Sequence, residues 1–203
     1  PLLARIYPNG PSDINDFENA GGTGFILREL AKLGLIHEDV LTIRRGVIRE
    51  HMLRPALSDD GEGTLTFVPA PAKSPDRGTI RTAKEPFAST GGLALLKGNL
   101  GRSVIKISAV KPESRHITAP AFVADTQEEV TAAFQRGELN RDVVVVVRFQ
   151  GPGANGMPEL HRLTAVLGSL QRKGYRVALV TDGRMSGASG RIPAAIHLTP
   201  EAS

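Results

Sequence analysis

The 203-residue sequence has no cysteine and no tryptophan. Without thiols the chain forms no disulfide, and it offers no thiolate to an iron–sulfur cluster or to a cysteine-held zinc ion. The absence fits a reducing compartment, and a cytoplasmic location is expected. Aromatic residues make up only 4% of the chain and the basic residues are spread along it. So few rings give poor support to a base-stacking surface, and no nucleic-acid partner is expected. No apolar run approaches the roughly 20 residues that span a bilayer, and the first residues lack a signal-peptide pattern, so no membrane partner is expected either. The chain opens "PLLARIYPNG", without an initiator Met and already in an apolar run, which reads as a fragment or processed product.

What is present suits a globular protein of one large or two small domains, with 40% hydrophobic and 23% charged residues. The net charge of +4 suits a small anionic substrate, and it suits solubility equally well. "DINDFENA" predicts a helix capped by Asp13 or Ser12 and interrupted at Gly21-Gly22. A second helix is expected from about Thr23 to Leu33, with Phe25, Ile26, Leu30 and Leu33 on one face and Gly34 as its stop. "DVLTI" reads as a short strand and "RGVIREHML" as a short helix. The segment from Ser58 to Ala88 turns rich in Pro, Gly and charge, with two β-prone islands at Thr64–Val68 and Thr79–Arg81. It reads as a linker between two packing units, with a boundary near Thr79 to Glu85.

Beyond that boundary strands and helices alternate. "SVIKISAV" has the alternation of a strand with one wet face, and "HITAPAFVA" reads as a strand that Pro120 confines to an edge or a bulge. Thr126 and Glu129 form a capping box ahead of "EVTAAFQRG". "DVVVVVRF" carries five consecutive valines, the mark of a strand buried on both faces. After "GPGANG" a helix is expected from Pro158 to Gly174, and "YRVALVTD" is the next buried strand. Strand, loop, helix and strand in this order predict a parallel pair joined by a crossover. The loops after Phe149 and after Asp182 would then leave the same sheet edge, where such sheets place ligand sites.

Those loops hold the candidate chemistry, "RFQGPGANGMPELH" and "TDGRMSGASGR". Glu159 reads as an acid in the first turn of a helix, serving either the helix dipole or a hard Mg²⁺ ion. Ser186, flanked by Gly187, reads as an ordinary turn serine or as a projecting hydroxyl; as a base it needs something to lower its pKa. The loop is not G-x-S-x-G, since Arg184 stands two residues before the serine, and no histidine adjoins it; His161 and His197 could approach only through the fold. "GGTGF" and "PGANG" lack the spacing and the lysine of nucleotide-binding loops.

Together "DINDFENAGGTGFILREL", "GGLALLKGNLGRSVIKISAV", "RFQGPGANGMPELH" and "VALVTDGRMSGASGRIPAAIHLTPEA" resemble, in order and over nearly the whole chain, the family of dihydroxy-acid and phosphogluconate dehydratases. The wording is nearer the phosphogluconate branch; the other branch reads "RYEGP", and Gln150 in place of that Glu is the most telling difference. The resemblance implies an α/β protein in two parts. Residues 1–84 would be the helical tail of a cluster-bearing N-terminal α/β domain plus a linker. Residues 85–203 would be a C-terminal β-barrel-like swivelling domain, a mixed sheet with flanking helices truncated at its end. The resemblance also implies a hydro-lyase that dehydrates 6-phosphogluconate to 2-keto-3-deoxy-6-phosphogluconate in the Entner–Doudoroff route, acting as a homodimer when full-length and inactive as this fragment alone. By the same resemblance Ser186 is the base and Glu159 a Mg²⁺ ligand, while a 4Fe-4S cluster would have its ligands outside this chain. Arg184, Arg191, Ser189 and Asn155 are the residues expected to meet the substrate carboxylate or phosphate, or else to hold their loops. An unphosphorylated sugar acid or a branched dihydroxy acid remains an alternative substrate, and a non-catalytic sugar-phosphate-binding module an alternative function.

Overall fold

A computed structural model describes residues 1–7, 9–43, 46–59, 61–108, 110–185 and 191–202. They form two compact units, Pro1–Gly91 and Gly92–Ser203. Among the described residues no helix is long and apolar enough to cross a membrane.

In the first unit Asp13 caps α1 (Ile14–Asn19), its carboxylate accepting from the N–H groups of Asn15 and Asp16 while Asp16 returns a bond to the Asp13 N–H. The chain then turns through Gly21 and Gly22, at φ 129° and 63°, into α2 (Gly22–Lys32). Positive φ at two successive positions suits glycine. "DVLTI" forms only a single bridge, Leu41 to Val47, rather than a strand, and "RGVIREHML" a 3₁₀ turn at Ile48–Met52. β1 (Leu53–Leu57) and β2 (Leu65–Pro69) pair antiparallel. Bridges from Leu2 to Ala88 and from Ala4 to Ile80 tie the end of the Pro- and Gly-rich segment back to the amino terminus, which is why it belongs to this unit.

The core of this unit gathers Ala20, Phe25, Ala70 and Ile80. Leu33, expected on the inner face of α2, is exposed, and the charged Glu29 is buried there instead. Its carboxylate accepts from the Lys32 ammonium at 2.5 Å and from the Ala83 N–H at 3.2 Å. Burial works against ionisation, but the Lys32 and Ala83 hydrogen bonds, with the charges of Lys32 and Arg28, outweigh it and hold this carboxyl below its ordinary range. A depressed folded-state pKa contributes stability that is complete above the unfolded value of roughly 4.3 and is lost as pH falls through the folded one. Glu29→Gln is therefore expected to lower stability by about 2 kcal/mol at pH 7. Thermal unfolding at pH 7 and pH 3 checks this, with the gap between variant and parent closing in acid; a gap that widens there is the contrary result.

The second unit begins with a hairpin, β3 (Leu93–Gly98) and β4 (Gly101–Lys106). β5 (Ala121–Ala124) follows, then α3 (Gln127–Gln135), whose first turn is capped by Thr126 accepting from the Glu129 N–H at 3.2 Å. The Glu129 carboxylate reaches back to the Asp125 N–H, one residue before the cap. β6 (Val143–Val147), α4 (Pro152–Asn155), α5 (Arg162–Arg172), β7 (Val177–Thr181) and β8 (Ala194–Thr199) complete the unit. The strands form one mixed sheet in the order β3-β4-β8-β7-β6-β5, with β5 to β8 parallel and β4 antiparallel to β8. The chain is thus of the expected α/β class. The sheet is open rather than closed into a barrel, because β3 and β5 stay at its two edges. Pro120 immediately precedes the edge strand β5, where a missing N–H costs no ladder bond.

α3 and α5 pack against each other and against the sheet, over a core that includes Val130, Leu139, Leu163, Leu167, Leu170 and Leu179. In the five-valine strand Val143, Val145 and Val147 are fully buried and Val144 and Val146 only partly, so the strand has one fully buried face rather than the two expected. The predicted parallel pair is present, with Val143 opposite Val177 and Val147 opposite Thr181.

Candidate active site

Four parallel strands send their following segments to a single edge: Asp125 after β5, residues 148–156 after β6, residues 182–185 after β7 and Glu201-Ala202 after β8. Asp182, 4% exposed, joins three of them. Its Oδ1 accepts from the Gln150 N–H at 2.9 Å and its Oδ2 from the Ala202 N–H at 3.0 Å. The Glu201 carboxylate accepts from the Gly153 N–H at 3.0 and 3.1 Å. A side chain on Gly151 would meet that carboxylate, and one on Gly183 would lie 2.7 Å from the Gln150 Cβ. Both glycines serve close approach between loops.

Glu159 and Arg184 meet across these loops. Their residues form a parallel bridge, the Leu160 N–H donates to the Arg184 carbonyl at 3.0 Å, and Arg184 Nε donates to the Met157 carbonyl at 3.0 Å. Arg184 Nη1 lies 3.6 Å from Glu159 Oε2. Glu159 is not in the first turn of a helix as expected: α5 starts only at Arg162. Met157, before Pro158, has φ 56°, outside the right-handed helical region, and Glu159 is tied into the bridge to Arg184. The charge nearest its carboxylate is a guanidinium rather than a helix dipole.

Asn155, the last residue of α4, lies exposed at the same edge and donates through Nδ2 to Gln150 Oε1 at 3.2 Å. Ser186 and Ser189 lie outside the described residues. Arg191 is placed at the opposite end of the sheet, where its carbonyl accepts from Gln171 near the end of α5 and its residue borders a cleft of about 940 Å³ with Lys111, Arg172 and Arg176. Among the described residues, Glu159, Arg184 and Asn155 therefore share an edge and Arg191 does not.

Residues 78–203 match the family model described as "Dihydroxy-acid/6-phosphogluconate dehydratase C-terminal", and residues 1–51 match its N-terminal counterpart. The chain belongs to the dihydroxy-acid/6-phosphogluconate dehydratase family. It is 57% identical over 203 residues to the phosphogluconate dehydratase of Zymomonas mobilis and 54% identical over 202 residues to that of Pseudomonas aeruginosa, covering all of this chain and 33% of each relative. A dihydroxy-acid dehydratase of Caldanaerobacter subterraneus is 38% identical over 205 residues, covering all of this chain and 34% of that protein. The chain spans about a third of the length of the curated relatives it matches.

For this dehydratase-family chain a hard divalent cation fits Glu159. Its Oε1 is buried and accepts no hydrogen bond among the described residues, an arrangement that costs free energy unless a donor or a cation meets it. Mg²⁺ commonly takes only one or two protein carboxylates and fills the rest of its shell with water and substrate oxygens. No group of three or more His, Asp or Glu side chains that could hold a metal ion gathers among the described residues, so no complete protein cage is built there and most of the shell would come from water and substrate. An iron–sulfur cluster does not fit the chain, which has no cysteine to hold it.

Asp182, Gln150 and Glu201 organise the edge yet stand outside the set of site residues expected from sequence. An acid placed between a buried strand and a glycine, as in "VTDG", is the signal that points to Asp182; nothing local marks Glu201.

Proposed function

We propose that the full-length protein dehydrates 6-phospho-D-gluconate to 2-keto-3-deoxy-6-phosphogluconate, the Entner–Doudoroff hydro-lyase step, in the cytoplasm and as a homodimer. Residues 1–84 would then be the tail of the N-terminal domain with its linker and residues 85–203 the C-terminal domain, a part inactive alone. The observation that carries the substrate is the gradient of identity. Relatives named phosphogluconate dehydratase match the entire chain at 52–57%, whereas the dihydroxy-acid dehydratase matches at 38%.

In this reading Ser186, as an alkoxide, takes the C2 proton beside the substrate carboxylate, and the electron pair moves into a C2=C3 enol as the C3 hydroxyl leaves. Ketonisation then gives the 2-keto-3-deoxy acid, with one water lost overall. A divalent cation held by Glu159 supplies positive charge against the enediolate and favours the ionised serine. Arg184, which lies beside Glu159, would meet a substrate carboxylate or phosphate, and Asn155, which is exposed at the same edge, would donate an amide hydrogen. Ser189 is a further candidate for an anion contact, whereas Arg191, at the other end of the sheet, is not proposed for this site. The 4Fe-4S cluster implied by the family would belong to residues outside this chain.

The test is a comparison of substrates with the full-length protein. Turnover of 6-phosphogluconate is expected to exceed that of gluconate and of a branched dihydroxy acid by at least about 100-fold in kcat/KM, since losing a bidentate phosphate contact costs roughly 3 kcal/mol. Equal turnover of gluconate defeats the phosphorylated substrate.

A further inference from the structure

We propose that Gln150 is a positioning residue of this edge: its carboxamide, held in one orientation, aims Asn155 at the bound sugar acid and locks the ends of β5 and β6 around it. What Asn155 meets rests on the dehydratase reading; how Gln150 holds it does not.

Gln150 is 5% exposed, and a side-chain amide so buried must find partners for its hydrogens. Nε2 donates to the Asp125 carbonyl at 2.7 Å and to the Arg148 carbonyl at 3.0 Å, while Oε1 accepts from Asn155 Nδ2 at 3.2 Å. The Gln150 N–H is spent on Asp182, and its Cβ lies against Gly183. Reversing the amide would set Oε1 against two carbonyl oxygens and Nε2 against a donor, so the three partners permit one orientation. The fixed Oε1 in turn presents Asn155 with one acceptor at one place. Gln150 thus connects the segments after β5, β6 and β7 with a residue expected to touch substrate.

Glutamate has the same shape but no donor when ionised. At position 150 its carboxylate would face the Asp125 and Arg148 carbonyls, among the carboxylates of Asp125, Asp182 and Glu201, with the Arg148 guanidinium as the opposing charge and already bound to Asp125. Burial and like charge make such a group hold its proton, and only the protonated form recovers one of the two lost donations. Gln150→Glu therefore introduces a titration that the parent lacks.

The experiment uses the full-length protein and its Gln150→Glu, Gln150→Met, Asn155→Ala and Gln150→Glu/Asn155→Ala variants. At pH 8 Gln150→Glu is expected to melt on the order of 3 °C below the parent, with the gap closing toward pH 5. KM for 6-phosphogluconate rises about tenfold at pH 8 and recovers over the same range, with kcat little changed. Gln150→Met, which removes the donors without adding charge, shows a KM rise that does not vary with pH. Adding Asn155→Ala to Gln150→Glu raises KM no further than Asn155→Ala alone. A melting gap that is constant with pH, KM effects that multiply in the double variant, or a Gln150→Met protein identical to the parent would each overturn the assignment. No turnover by the parent defeats the dehydratase reading, and the melting gap still tests the carboxamide without substrate.

Discussion

Ser186→Ala in the full-length protein is expected to lower kcat for 6-phosphogluconate dehydration by about 10³-fold with little change in KM, the scale of losing a positioned general base. An alcohol is a poor base unless its ionised form is favoured. Two residues earlier in the chain, Arg184 is held by three contacts to the loop after β6: its carbonyl takes the Leu160 N–H, its Nε donates to Met157, and its Nη1 faces Glu159. Met185, between that anchor and the serine, is buried. Arg184 is thus a fixed point beside a carboxylate oxygen that has no hydrogen-bond partner among the described residues. Steady-state kinetics of the variant, with its melting temperature as a check on folding, decide the matter. A well-folded variant that keeps activity within tenfold of the parent rejects Ser186 as base.

The features legible in the sequence are those in which one local signal governs one local outcome. Thr126 caps α3 because the side chain three residues before Glu129 satisfies its free N–H, and that pairing is written in four consecutive letters. The valine run forms an interior parallel strand, between β5 and β7, although only one of its faces is fully buried. Placing the loops after β6 and β7 at one edge follows from the parallel pairing alone, and the Glu159–Arg184 bridge lies there. What was not legible depends on contacts distant in sequence. Pro158 looks like a first-turn proline, yet Glu159 is tied into the bridge to a segment 25 residues onward and α5 starts only at Arg162. Arg191 follows Arg184 by seven residues in sequence but lies at the other end of the sheet, because β8 starts level with the middle of β7. Asp182 organises the edge through backbone donors 32 and 20 residues away, which no local pattern announces.

Glu159→Gln is expected to lower kcat/KM about 100-fold at limiting Mg²⁺, and raising Mg²⁺ is expected to restore part of the loss. The amide keeps the size of the carboxylate but forfeits its charge, and a hard cation binds a neutral amide oxygen far more weakly than a carboxylate. Two explanations of such a loss are separable. If Glu159 served mainly to hold Arg184 in place, Arg184→Ala would reproduce the defect, and the Mg²⁺ dependence of both variants would follow the parent. The 3.6 Å separation and the half-exposed guanidinium make that ion pair weak, worth well under about 1 kcal/mol, which is too little to account for a 100-fold loss. The buried Oε1, by contrast, has no hydrogen-bond partner among the described residues to lose. The Mg²⁺ concentration giving half-maximal activity should therefore rise about tenfold or more in Glu159→Gln and stay near the parental value in Arg184→Ala. An unchanged half-maximal concentration in the Glu159 variant would remove this carboxylate from the metal shell.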